Sequence, residues 1–302
     1  MRKFIISDIH GDGNVYNSIM GYLDNINKEE EIELYINGDL IDRGLESAEI
    51  LIDIINRIKE NKYKIIYLGG NHELMMHEVF EKRKKGKKAK RSDWFYNGGK
   101  ITDEGLNNII KDKEKILEIA DFISNLKIYH KFEEKYDEKN IVLVHARCPL
   151  KVKDKCDLRI KDNNFQTFLY VWTRKEEQLI PFISRIGNKN YFTIIGHTPN
   201  NNKYGFTYYP KEKYINIDGG SARYVRGLFQ YNHVPLVEVK EDYLKILTFN
   251  HNNEIIYGNY LIKGKTIPFS KEELDKEKKY LNKNTKIKKL IKLENGIIGY
   301  KE

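Results

Sequence analysis

Six residues able to bind cations each fall just past a short apolar run: Asp8 and His10, Asp39, Asn71, His145 and His197. The runs are KFIIS before DIHG, ELYIN before GDLIDRG, KIIYL before GGNHE, IVLV before HAR and FTII before GHTP. Two aspartates, three histidines and one asparagine form a mixed oxygen and imidazole donor set. Such a set suits two borderline divalent ions, with manganese, iron and zinc as the candidates. It exceeds what one tetrahedral zinc uses. Two cations held together repel, so a carboxylate must bridge them, and Asp39 stands centrally in the order. Taken singly, each motif reads more often as a turn or a satisfied core histidine. Five of them at successive strand ends are not independent coincidences.

Periodicity shows which strands and helices carry these residues. The apolar runs are short and β-branched, as strands are. Between the early ones, Ser47 to Asn61 places Ile50, Leu51, Ile54, Ile55 and Ile58 on one helical face. Strands alternating with helices predict an α/β layered core whose site lies at the carboxyl ends of the strands. A further run, YINI, precedes DGG. After about residue 226, LFQYNHVPLVEV, YLKILTF and EIIYGNYLI read as consecutive strands, with HNN as a turn. The tail from Ser270 to Lys289 is rich in Lys and Glu, and SKEEL marks a helix start.

Composition narrows the class. The chain has 302 residues, 40% hydrophobic and 32% charged, as a soluble globular protein does. No apolar stretch has the length of a bilayer span, and FII near the start is too short for a signal peptide. Two cysteines, Cys148 and Cys156, exclude a disulfide framework and point to a reducing cytoplasm. The net charge of +9 is concentrated in KRKKGKKAKR, Lys82 to Arg91, which holds eight basic residues. Without it the chain is close to neutral. Steering of polyanions, nucleic acid included, therefore rests on that run alone, and a solvated loop is the favoured reading. The aromatics of DWFYNGG just beyond it either stack on a base or pack onto the core.

DIHG, GDLIDRG, GNHE, His145 and GHTP resemble, in order, the signature of the calcineurin-like metallophosphoesterases. GDLIDRG followed by GNHE is similar to the phosphoprotein phosphatase branch, which includes protein phosphatases and dinucleoside tetraphosphate hydrolases. The resemblance implies a β-sandwich of two mixed sheets flanked by helices, with a C-terminal strand-plus-helix elaboration. The expected division is a catalytic unit over 1–235, with a basic lid near 80–100, and a C-terminal unit over 236–302. It implies Asp8, His10 and Asp39 on a first ion, and Asp39, Asn71, His145 and His197 on a second, with manganese the first choice. Activated water then attacks phosphorus in line with the leaving alkoxide. His72, held by Asp42, protonates that oxygen as general acid, while Arg43, Asn71 and Arg174 bind the phosphate.

The expected substrate is a phosphorylated protein or small phosphomonoester, with serine/threonine-type phosphatase activity. The alternatives are a dinucleoside polyphosphate or other nucleotide hydrolase and, of another class, an RNA-binding module with a vestigial esterase core. No membrane partner is expected. Two positions depart from the family pattern: Ser7 stands where many members have Gly, and Ala-Arg-Cys-Pro comes after His145. Arg147 in that segment is expected to face solvent.

Overall fold

The computed structural model describes residues 1–89, 92–174, 186–228 and 232–281, with the backbone of two further strands at Leu290–Lys292 and Ile298–Tyr300. Lys90 and Arg91 of the basic run, residues 229–231 and residues 282–289 of the charged tail lie outside the described residues.

Strands β1 (Arg2–Ile6), β2 (Ile32–Asn37) and β3 (Lys64–Leu68) pair in parallel. Helices α1 (Gly13–Ile26) and α2 (Ser47–Glu60) make the crossovers between them. Helix α3 (Asn71–Lys84) comes directly after β3, and α4 (Lys100–Ile109) and α5 (Lys113–Ser124) come later. A second sheet begins with β4 (Tyr129–Tyr136) and β5 (Lys139–Val144). After α6 (Phe165–Trp172) it is completed by β6 (Phe192–Ile195), β7 (Thr207–Tyr209) and β8 (Tyr214–Asn216), in the order β4-β5-β6-β8-β7. Both sheets are mixed; in the second, β5, β6 and β8 are parallel while β4 and β7 run against them.

Alternation decides the layers. Phe4 and Ile6 of β1 pack under the helices, while Ile5 faces the other way, into a core shared with Phe132, Ile141, Leu143, Ile194 and Ile215 of the second sheet. Burial on both faces explains why β2 reads IELYIN with no exposed position. The two sheets therefore sandwich one core, and helices cover the outer face of the first.

Beyond the short helix α7 (Ser221–Tyr224), the late strands are β9 (His233–Lys240), β10 (Tyr243–Asn250), β11 (Ile255–Ile262) and β12 (Lys265–Pro268). β9 pairs antiparallel with β1, so these strands continue the first sheet, which reaches seven strands in the order β12-β11-β10-β9-β1-β2-β3. Helix α8 (Lys271–Lys278) starts at Ser270, whose hydroxyl accepts the N–H of Glu273 while Glu273 accepts that of Ser270. Among the described residues no helix is long and apolar enough to cross a membrane.

The join between β1 and β9 carries a buried ion pair. Arg2 reaches both oxygens of Glu238, at 2.7 and 3.0 Å, and Lys240 lies at 2.6 Å. Burial alone would raise the Glu238 carboxyl, but Arg2, Lys245 and Lys240 outweigh it and hold its pKa at about 2 instead of 4.5. Because the folded value is the lower one, the stabilisation is complete above the unfolded pKa and fades as pH falls toward 2. Glu238→Gln should cost roughly 2–3 kcal/mol at neutral pH. Urea unfolding should show that difference shrinking steadily below pH ~4.5; a pH-independent difference would mean that packing, not charge, is lost.

Candidate metal centre

Asp8, His10, Asp39, Asn71, His145 and His197 all sit at one end of the sandwich, where β1, β2, β3, β5 and β6 deliver their carboxyl ends. The loops there are tightly turned. Asp8, His10, Asp39, Asp42, Arg43 and His197 all take left-handed backbone conformations, with φ between 49° and 75°. Non-glycine residues hold such angles only where the surroundings over-determine them. Glu73 supplies much of that determination. Its carboxylate accepts the N–H groups of Asp39 (2.9 Å), Leu40 (3.1 Å) and Gly70 (2.8 Å) and the hydroxyl of Tyr67 (2.7 Å). The last residue of GNHE thus ties β2's end to the start of α3. Gly38 is glycine because φ is +78° and a Cβ there would lie 2.6 Å from the Gly70 backbone.

The three histidines are oriented alike. His145 donates Nδ1–H to the Asn37 carbonyl (2.7 Å), His10 donates Nδ1–H to that of Ile41 (3.1 Å), and His197 donates Nε2–H to that of Trp172 (3.0 Å). Each bond fixes a tautomer and turns the other nitrogen's lone pair inward, the arrangement of metal-ligating histidines. Those lone pairs converge on oxygens. His145 Nε2 lies 3.3 Å from Asp39 Oδ1 and 3.1 Å from Asn71 Oδ1, and His197 Nδ1 lies 2.8 Å from Asn71 Oδ1. On the other side of Asp39, His10 Nε2 lies 3.5 Å from Oδ2. Around His145, His197 and Asn71, acceptors facing acceptors at such distances call for a cation or a proton between them.

Protonation obeys the same demand. Burial pushes the Asp8 carboxyl well up, with Asp218 adding to it, and burial lifts Asp218 to about 6. Burial also pushes His10 and His197 well below the usual range. His145 goes the other way: burial would lower it, but the Asp39 charge outweighs this and raises it to about 10. Asp39, despite burial, is held well below the carboxylate range by His145 and His72. A buried group of carboxylates and imidazoles that competes for positive charge fits divalent cations. The residues group into two triads around Asp39, one with His145 and His197 and one with His10 and His72.

His72 is held differently from the other three. Its Nδ1–H donates to Asp42 Oδ2 at 2.6 Å, and its Nε2 is buried with no hydrogen-bond partner among the described residues, 3.9 Å from Asp39 Oδ2. Two arginines bracket the cluster. Arg43 places Nη1 3.0 Å from His10 Nε2, and the charge of Arg174 depresses the pKa of His197. Arg174 Nε is buried without a partner among the described residues.

Some residues of the site have no signal in the sequence. Trp94 and Thr102 both bond Asp42, from 52 and 60 residues away. Ser7, the departure from the family pattern, donates to Asp8 Oδ2 at 2.5 Å, and Gly196 makes room, since a Cβ there would fall 2.0 Å from that oxygen. Ser7→Ala should weaken divalent-ion affinity about tenfold, the usual cost of losing a partner of a ligand. Competition with a chelating dye measures it, and unchanged affinity would reduce Ser7 to a space filler.

Arg147 corrects an expectation: it is buried, 4% exposed, and does not face solvent. Its segment is drawn inward because the Ala146 and Arg147 N–H groups both donate to the Tyr170 carbonyl. The cysteines take no part, and burial pushes the Cys148 thiol up to about 12. Trp94 of DWFYNGG is fully buried, so it packs on the core and stacks on no ligand. The basic run begins in the last turn of α3, about 16 Å along the helix from Asn71. Arg83 there grips Asp103 through two bonds of 2.7 Å, and Lys84 pairs with Glu81 and Asp121.

The family model of the calcineurin-like phosphoesterases matches residues 1–201. No curated protein matches the chain. Among solved structures, a cold-active protein tyrosine phosphatase is similar with a TM-score of 0.51 at 14% identity, over 87% of this chain and 79% of its own. A protein serine/threonine phosphatase from Saccharomyces cerevisiae is similar with a TM-score of 0.50 at 15% identity, over 82% and 79%. At such identities these likenesses show the fold alone. An RNA-binding module with a vestigial esterase core is not what the family match supports, which is a phosphoric ester hydrolase. The chain belongs to the calcineurin-like phosphoesterase family, and is a phosphoric ester hydrolase of a family that works with divalent metal.

Proposed function

We propose that the enzyme hydrolyses phosphomonoesters of serine and threonine side chains in proteins, with two divalent ions, manganese as the metal. Asp8, His10 and Asp39 hold the first and Asp39, Asn71, His145 and His197 the second. Asp39 suits the bridge, since its Oδ1 faces His145 and its Oδ2 faces His10. A donor set of carboxylate, amide and imidazole without thiolate fits manganese. When bound, the ions activate water for in-line attack and offset charge on the phosphoryl oxygens.

The observation that carries the reading is His72. A buried imidazole with one nitrogen pinned to Asp42 and the other unpartnered, aimed at the cation cluster, is built to pass a proton to a leaving oxygen. Such an acid matters in proportion to the basicity of the leaving group. A serine or threonine alkoxide is a very poor leaving group, whereas a nucleotide phosphate departs with little protonation. Arg43 contributes a planar fork for two phosphoryl oxygens, and Arg174 meets charge from the His197 side.

A substrate panel with manganese tests it: phosphoserine and phosphothreonine peptides, a phosphotyrosine peptide, p-nitrophenyl phosphate, diadenosine tetraphosphate and a cyclic nucleotide. The phosphoserine or phosphothreonine peptide should give the highest kcat/KM of the natural substrates. A higher value for diadenosine tetraphosphate would replace this reading with the nucleotide one.

A further inference from the structure

The chain leaves the site along α3 and comes back to it at residues 92–102, where one short turn touches two functional groups. Trp94 donates its indole N–H to Asp42 Oδ2 at 2.7 Å, beside the bond from His72. Thr102 donates its hydroxyl to the other oxygen, Oδ1, at 2.5 Å and accepts the Asp42 N–H at 3.1 Å. Both oxygens of a fully buried carboxylate are thereby filled by donors of fixed direction, so it cannot rotate, and neither can the imidazole bonded to it.

The same turn holds the arginine. The Gly98 carbonyl accepts the Arg43 N–H and the Asn97 carbonyl accepts Arg43 Nε–H, each at 3.3 Å. Phe95–Gly99 is a π-helical turn broken at Gly98, where φ is 102°, and such turns recur at functional sites. Its two glycines are forced by these contacts. A Cβ on Gly98 would lie 2.8 Å from Arg43 Cγ, and one on Gly99 would lie 2.2 Å from the Trp94 indole nitrogen.

We infer that the turn Trp94–Thr102 is a positioning element that sets the proton donor and the phosphate-binding arginine together. Trp94 and Thr102 act through Asp42 on His72, and Asn97 and Gly98 act through backbone carbonyls on Arg43. This rests on the reading of His72 as general acid in a phosphomonoesterase.

The test uses the full chain loaded with manganese and two substrates that share a phosphoryl group, phenyl phosphate and p-nitrophenyl phosphate. Thr102→Val keeps the shape and removes the hydroxyl; Trp94→Phe keeps a ring and removes the N–H. Each should lower kcat about tenfold or more for phenyl phosphate, whose leaving group needs the proton, and less than about threefold for p-nitrophenyl phosphate. Metal content by elemental analysis should stay at the wild-type value, and Thr102→Ser should restore the wild-type ratio between the two substrates. Gly98→Ala, which displaces Arg43, should instead raise KM for both substrates alike.

Trp94 lies deep in the core, so the threonine pair decides the matter if Trp94→Phe does not fold. Equal losses on both substrates, or loss of metal, would overturn the inference. His72→Asn in parallel separates the two levels. If it discriminates between the substrates and Thr102→Val does not, the positioning role alone falls. If His72→Asn does not discriminate either, the general-acid reading falls and the inference with it.

Discussion

Asp39→Asn should abolish metal pairing and turnover together. The two Asp39 oxygens face different partners, His145 Nε2 at 3.3 Å and His10 Nε2 at 3.5 Å, so a single carboxylate serves both halves of the cluster. Asparagine keeps an oxygen to accept the hydrogen bond that the His72 backbone N–H now makes at 3.0 Å, so the α3 start is retained while one negative charge is removed. Two cations cannot then be held close without that charge. Turnover should fall by about a thousandfold or more, and elemental analysis should show the ion content per chain dropping below that of the wild type. Undiminished ion content with lost activity would move Asp39 out of the bridging position.

His72→Asn should give the second largest effect, about 10²–10⁴-fold in kcat for a poor leaving group, as removal of a general acid does. Asp42→Asn should come close to it, because the two act through one hydrogen bond of 2.6 Å. The double variant should cost far less than the two losses combined. His72 Nε2 also lies near Asp39 and His10, where it would fit a ligand as well as a proton donor. Metal content separates these roles: an acid can be removed with the ions retained, a ligand cannot. Loss of an ion in His72→Asn would make it a ligand and leave the protonation step without a donor.

The strands and the polar residues at their ends were legible in the amino-acid order. Apolar runs such as KIIYL and FTII are β3 and β6, and the polar residues just past them reach one end of the sandwich. Burial imposes a local period on the chain, and strand-end loops are short, so both signals survive in one dimension. Ile50, Leu51, Ile54 and Ile55 are buried on one face of α2 for the same reason. Even the α8 start was readable, since a cap is a contact three residues long.

Contacts that cross between elements came from packing in three dimensions. That β9 pairs with β1, making the late strands part of the first sheet, depends on matching strands more than two hundred residues apart. That Trp94 and Thr102 seize Asp42, that Ser7 reaches the Asp8 carboxylate beside a glycine from β6's end, and that Arg147 turns inward are further outcomes of packing. No periodicity marks such partners, because each side chain is chosen by a cavity whose walls come from distant segments. The order of cation-binding residues belongs to the sequence; the direction in which each one points belongs to the fold, since it is set by backbone carbonyls that the chain brings alongside only when folded.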